Sequence, residues 1–483
     1  MRQIAVALAC AITTSTTHAL STTHNRRVVL PLDTAMERNL CARKEPPIAT
    51  LTWFCMANTD DDDSIKRSIA ALQNKTRHVL RLNPWLAGRV RGGDPWSLLV
   101  RQQPPQLEYY NNDDDDNDND DKYDKEAVLR FQQIFHHVKV DDGNLSPETA
   151  LSDLYAATLP YTELDQTNGP LCRITVLESS DRNNNRLGII FSLSHAVADM
   201  TAYYALLGMV LSSSSADDDY NDNIQPLCLD AIPQADWQAR LSLGAAVFDL
   251  QHHVLANLVK GARGLATRFI SGQPGKEQWY KVNQDVMAKE KERQAMQQPE
   301  TNGSVGFVST NDVLTSHFFQ TCGANVGLLC VDYRHTILAN CTTMHQTWGR
   351  NRWGTIVFYQ RPLLLEVAEP GMIRKSLTLL QQGNSLDTSI TLPTTLEFAF
   401  NDDKIAVASS WVQKNPHWQI NGVHEPFIAH VPLYDFSTYA PSGFCVMRTF
   451  TYDSKNQTGI YVAGDAEMVD QFTSRAPYFL RPM

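Results

Sequence analysis

The alternation of apolar and polar positions is most informative around residues 187–193. Leu187, Ile189, Phe191 and Leu193 alternate with Gly188, Ile190 and Ser192, and the second set is itself small or apolar. A strand with one wet face would put charges at alternate positions, so this pattern predicts a strand covered on both faces. The period then changes: residues 201–211 (TAYYALLGMVL) carry apolar side chains at helical spacing. Upstream, residues 169–177 (GPLCRITVL) predict another strand and residues 181–186 (DRNNNR) a polar connection, so the two strands are expected to pair as an antiparallel hairpin.

The same reading predicts strands at residues 28–31 and 50–56, and an amphipathic helix over 64–82 with Ile65, Ile69, Leu72 and Val79 on one face. Asn83-Pro84 stops that helix, and Gly88 ends a short apolar turn before the next strand. Residues 148–159 and 237–270 predict further helices. The second of these is apolar enough that a membrane-surface face is an alternative to core packing. Residues 281–298 are polar, helical or disordered, and suit a linker between halves. Beyond them come a helix over 312–321 capped by Ser309 or Thr310, strands at 328–332, 355–359, 444–452 and 460–463, and a final helix over 465–472.

Composition narrows the class. The 483 residues are 43% hydrophobic and 20% charged, the make-up of a soluble globular chain with room for two or three domains. The net charge of -11 comes largely from residues 111–121 and 217–223, Asp- and Asn-rich runs that read as surface loops. A calcium loop is the sharper alternative for the first run, but the spaced Gly and closing Glu are missing. No basic stripe exists for nucleic acid. Nine cysteines occur without a C-x-x-C pair, which argues against a zinc ribbon or a thioredoxin-like motif. Residues 1–20 read as a secretory-type signal, with cleavage after Ala19. The sequons at Asn74, Asn144, Asn302, Asn340 and Asn456 add slight support for secretion.

The candidate chemistry lies between the doubly buried strand and its helix, at His195-Ala-Val-Ala-Asp199. A histidine at a strand end has its backbone fixed by the sheet, and its ordinary pKa near neutrality suits a general base. Asp199 can bond the neighbouring backbone or pair with a cation and so hold the turn. An H-x-x-x-D pair is weak alone, and a lone histidine beside apolar residues is more often structural. A second instance, His137-Val-Lys-Val-Asp141, follows the acidic run without an apolar strand feeding it and ranks below His195.

Taken in order, the segments resemble the BAHD acyltransferases, within the wider superfamily of CoA-dependent acyltransferases that share an H-x-x-x-D motif. The resemblance rests on Leu82-Asn-Pro-Trp-Leu-Ala-Gly-Arg-Val90, Gly169-Pro-Leu-Cys-Arg173, His195 with Asp199, Ser309-Thr-Asn-Asp-Val-Leu-Thr315, Val331-Asp-Tyr-Arg334 and Asp435-Phe436. The chain departs from the family at Met200, where the family has glycine, and at Ser437-Thr-Tyr439, where it has Gly-Trp-Gly; Ser194 stands where relatives often have a second histidine.

The resemblance implies an α/β fold of two similar lobes, each a mixed β-sheet with helices, chloramphenicol-acetyltransferase-like, with a channel between them. On that reading residues 1–20 are a targeting segment, 21–235 the N-terminal lobe with the His/Asp motif, 236–300 a helical crossover and 301–483 the C-terminal lobe. His195 would be the general base. Asp199 would point away from the substrate and pair with Arg334, and Asp435 would support the site. Acyl-CoA would be a co-substrate rather than a bound cofactor, with no metal, and the acceptor the hydroxyl of a hydrophobic small molecule, an amine ranking second. A monomer is expected, as is the endoplasmic reticulum or a plastid reached through it, or the cytoplasm without the signal. The competing reading is a non-catalytic acyltransferase-like binding protein. A hydrolase ranks lower, since neither G-x-S-x-G nor H-E-x-x-H occurs.

Overall fold

The computed structural model describes residues 26–31, 47–55, 63–91, 105–111, 131–140, 154, 170–179, 186–211, 226–227, 275–296, 307–324, 326–332, 354–360, 369–381, 404–412, 418, 420, 427–433 and 442–483. Fifteen strands and six α-helices occur among them. In chain order the first half contributes β1 (Arg26–Pro31), β2 (Ile48–Cys55), α1 (Asp63–Leu82), β3 (Arg89–Arg91), β4 (Gln106–Asn111), β5 (Phe135–Val140), β6 (Cys172–Ser179), β7 (Arg186–Leu193) and α2 (Met200–Leu211). The second contributes β8 (Lys276–Val282), α3 (Gln284–Met296), α4 (Thr310–Thr321), β9 (Val326–Asp332), β10 (Gly354–Gln360), α5 (Pro370–Gln381), β11 (Ile405–Trp411), β12 (Ala429–Pro432), β13 (Phe444–Thr451), β14 (Thr458–Gly464), α6 (Ala466–Ser474) and β15 (Leu480–Pro482).

These strands form a five-stranded sheet of order β12-β2-β7-β6-β5, a seven-stranded sheet of order β10-β9-β11-β13-β14-β8-β15 and a small sheet β1-β4-β3. β7 is the middle strand of the first. It pairs antiparallel with β2 and with β6, the latter being the hairpin read from the sequence. Every residue of β7 after Arg186 is buried, which is why its polar-face positions hold Gly188, Ile190 and Ser192. Gly188 faces Trp53 across the β2 pairing, and a Cβ there would come within 2.5 Å of the indole ring.

α1 packs on α2. Its buried face includes Ser68 and Thr76 beside Ile69, Leu72 and Val79, and the two hydroxyls donate to the helix's own carbonyls at Ser64 and Leu72. At its end Asn83 is buried, with its amide donating to Val79 O and its carbonyl accepting from Leu227 N. Pro84 then starts a short 3-10 helix, Pro84–Ala87, whose Leu86 carbonyl accepts from Leu171 N, just ahead of β6.

The second sheet is covered on both faces, and period-2 alternation sorts its residues. Trp411, Val446, Phe450, Tyr461 and Ala463 join the core of the first half, while Ala406, Ala408, Cys445, Met447, Ile460 and Val462 join a second core with α3, α4 and α6. Residues 281–298, read as a polar linker, contain the end of β8 and all of α3; Val282 and Met287 are buried in that second core. All four residues of β12 pair antiparallel with β2, so a strand from the second half completes the edge of the first sheet. The predicted helix over 148–159 apart from Leu154, the helix over 237–270, the acidic runs beyond Asn111 and the signal segment lie outside the described residues. No described helix is long and apolar enough to cross a membrane.

Candidate active site

The turn that carries His195 follows directly from the end of β7. Ser194 N donates to Leu171 O at 2.8 Å, tying the strand end to the start of β6, and Val197 N donates to Ser194 O at 3.3 Å to close the turn. Ala196, Val197 and Ala198 are buried, whereas His195 and Asp199 are partly exposed. Small and apolar neighbours therefore anchor the turn in the core and leave the imidazole accessible on a fixed backbone.

Asp199 caps α2. Its Oδ1 accepts from Ala202 N at 3.0 Å and its carbonyl accepts from Tyr203 N, which satisfies donors the first helical turn would otherwise leave open. Met200, where the resembled family has glycine, is the first residue of α2 and packs partly buried against the first core. Asp199→Ala is expected to lower stability by about 1 kcal/mol through the lost cap, and Asp199→Asn by less, as read by urea unfolding; equal stability of all three proteins would contradict the capping role. Arg334, Asp435 and Ser437 lie outside the described residues. His137, the rival histidine, stands in mid-strand on β5 with Nε2 2.7 Å from Glu178 Oε2, so it occupies no turn.

Sequence reasoning missed a buried polar network behind the turn. On α2 the Tyr203 hydroxyl donates to Phe191 O at 2.7 Å and lies 2.7 Å from Thr50 Oγ1. Its neighbour Tyr204 places its hydroxyl 3.1 Å from Nε2 of His430 on β12, whose Nδ1 lies 2.9 Å from Thr52 Oγ1 on β2. The signal lay in the adjacent tyrosines of an otherwise aliphatic helix, because a buried phenol needs a hydrogen-bond partner. Their partners are up to 226 residues distant and carry no local pattern.

Burial sets the protonation of this network. It holds both tyrosine hydroxyls well above their ordinary range and pushes His430 down to about 3. His317, partly buried among Phe472 and Phe479, is pushed down to about 4 for the same reason. An unfolded histidine takes up its proton near 6.5, so the unfolded state binds more protons than the folded state below that pH. Stability should fall as pH drops from about 6.5 toward 3, by up to about 1.4 kcal/mol per pH unit for His430 alone. Urea unfolding at pH 7 and pH 4.5 reads the difference, and an equally steep loss in His430→Gln would contradict this origin.

Among the described residues no group of three or more His, Cys, Asp or Glu is placed to hold a metal ion. No family model matches the chain. No curated protein sequence matches it. Solved structures do. The TRI101 protein of F. sporotrichioides, complexed with coenzyme A and T-2, is 11% identical with a TM-score of 0.55, over 94% of this chain and 99% of that one. The TRI3 trichothecene 15-O-acetyltransferase from Fusarium sporotrichioides is also 11% identical with a TM-score of 0.55, over 97% and 99%. TRI101 of F. graminearum with coenzyme A and deoxynivalenol is 10% identical with a TM-score of 0.52, over 93% and 97%. The fold is the two-lobed, chloramphenicol-acetyltransferase-like one. The His195 turn follows β7 in the five-stranded sheet, and the described second-half strands other than β12 form the seven-stranded sheet.

Proposed function

We propose that this protein is a BAHD-like acyltransferase that moves an acyl group from a CoA thioester to the hydroxyl of a hydrophobic small molecule, with His195 as general base. The observation that carries the reading is the His195 turn itself: an accessible imidazole on a backbone held by β7, by β6 and by the Asp199-capped helix. Support comes from the fold, shared over nearly the whole chain with structures whose names speak of coenzyme A and of acetyl transfer to oxygen.

The chemistry follows from this placement. A neutral alcohol attacks a thioester carbonyl poorly until a base takes its proton, and positioned proton transfer is worth about 10²–10⁴ in rate. A ring nitrogen of His195 takes the hydroxyl proton as the oxygen bonds to the carbonyl carbon. Collapse of the tetrahedral adduct breaks the carbon–sulfur bond, and the imidazolium returns the proton to the leaving thiolate. The thioester is already activated, so positioning supplies much of the remainder. Acyl-CoA and acceptor enter a channel between the lobes from opposite sides, and Asp199 braces the turn through its cap on α2.

The test measures free CoA thiol released from acetyl-CoA and longer acyl-CoAs against a panel of apolar alcohols. Release that depends on the acceptor is expected. Release indifferent to the acceptor would indicate a thioesterase, and failure to bind any acyl-CoA in calorimetric titration would overturn the proposal.

A further inference from the structure

We propose that His430 is a positioning residue for the His195 turn, through which the second half of the chain sets the orientation of α2; the inference rests on the acyltransferase reading for its effect on rate. His430 is fully buried in β12, the second-half strand that completes the edge of the first sheet. Its backbone N–H donates to Tyr452 O at the end of β13, and its ring bridges Thr52 on β2 and Tyr204 on α2. Trp418 and Phe427 close around the ring, with centroids at 4.7 and 6.4 Å.

Tyr204 lies five residues past Asp199, within the first turns of α2. Tyr203 ties the same turn to Phe191 O on β7, four residues before His195, and so fixes α2 from within the first sheet alone. The Tyr204–His430 bond is the complementary tie, and it runs to a strand of the second half. Between these ties the chain from Ser194 to Asp199 has both ends held: one by β7, the other by a helix whose position depends on His430.

The choice of side chain supports a positioning role. An apolar residue would fill the same space without the cost of burying polar atoms, which are tolerated only when bonded. A neutral imidazole offers one donor and one acceptor on opposite sides of a rigid ring. That suits a fixed spacer between two hydroxyls, and the depressed pKa keeps the ring neutral at ordinary pH.

Two isosteric substitutions separate the two bonds. His430→Gln places an amide near the Nε2 position and can keep the contact to Tyr204; His430→Asn places it near Nδ1 and keeps only Thr52. Tyr204→Phe removes the same tie while preserving the ring and its packing. In His430→Asn and Tyr204→Phe, kcat is expected to fall about 10- to 100-fold, the scale of a small misplacement of a reacting group. KM for acyl-CoA should stay within about threefold, and His430→Gln should restore most of kcat. Amide hydrogen exchange over residues 202–211 should quicken in the two damaged variants and not in His430→Gln. Unchanged kcat and exchange in both would overturn the inference. So would a parallel loss of kcat, KM and global stability in all three, which is what a purely structural residue gives. If the wild-type protein transfers no acyl group, the proposed function fails, and exchange then decides the positioning claim alone. Selective loosening of α2 upholds it and equal exchange in all four proteins overturns it.

Discussion

His195→Ala is expected to reduce acceptor-dependent CoA release by about 10²–10⁴-fold, the range attributable to a positioned general base, while the protein stays folded. The fold should survive because the turn is anchored by its neighbours rather than by the imidazole. Ala196, Val197 and Ala198 are the buried side chains, the closing bonds run through the backbone of Ser194 and Val197, and α2 is capped by Asp199. Circular dichroism and urea unfolding of the variant should therefore overlay the wild type. Hydrogen-bonding reach without basicity does not rescue: His195→Gln retains hydrogen bonding but accepts no proton, and should be as inactive as the alanine variant. Retained turnover in His195→Ala would remove His195 from the chemistry.

The largest stability effect is expected at Arg374, in the second half. Asp312 is fully buried on α4, and its Oδ2 accepts from Arg374 Nε at 2.8 Å and from Ser309 N at 2.7 Å, with Arg374 Nη2 at 2.7 Å. Ser309 Oγ in turn accepts from Asp312 N, so the two residues form a reciprocal cap on the helix. Arg374, on α5, therefore both neutralises a buried carboxylate and joins two helices. Arg374→Ala leaves the carboxylate buried with its counter-ion gone, a loss of about 3–5 kcal/mol where a buried pair is broken one-sidedly. The double change Asp312→Ala with Arg374→Ala should cost less than the sum of the single changes, because the stranded charge goes with its partner. Urea unfolding midpoints measure both; a single-variant loss below about 1 kcal/mol would show that water already reaches Asp312.

The parts of the fold legible in the sequence are those set by local periodicity and local caps. β7 showed itself because both its faces are buried, its antiparallel partner β6 because a short polar connection joins them, and α4 because a cap residue precedes it. Of the two caps named for α4, Ser309 is the one used. Asp465, read as the first residue of the last helix, is its cap, accepting from Glu467 and Met468 N–H groups.

What escaped was set by distant partners. β8 (KEQWYKV) looks like linker because it carries three charged residues, yet each is accounted for across the sheet. Lys276 pairs with Asp470, Glu277 accepts from the Tyr461 hydroxyl and Lys281 lies over the Tyr452 ring. β12 has four residues ending in Pro432, a residue a central strand would not accept; it is tolerated because β12 is a sheet edge. The candidate site divided in the same way. His195 and Asp199 were legible from the strand-turn-helix pattern. The Thr52–His430–Tyr204 bridge was not, since it spans 378 residues between its first two members.

Acyl transfer on this reading is direct, from thioester to acceptor, with His195 as base. It is tested most directly by a single-turnover reaction with isotopically labelled acyl-CoA, followed by mass spectrometry of both the small-molecule products and the intact protein. The label is expected on the acceptor oxygen, absent from the protein at every time point, and absent from the acceptor with His195→Ala. Label accumulating on the protein, or appearing only as the free acid, would contradict it.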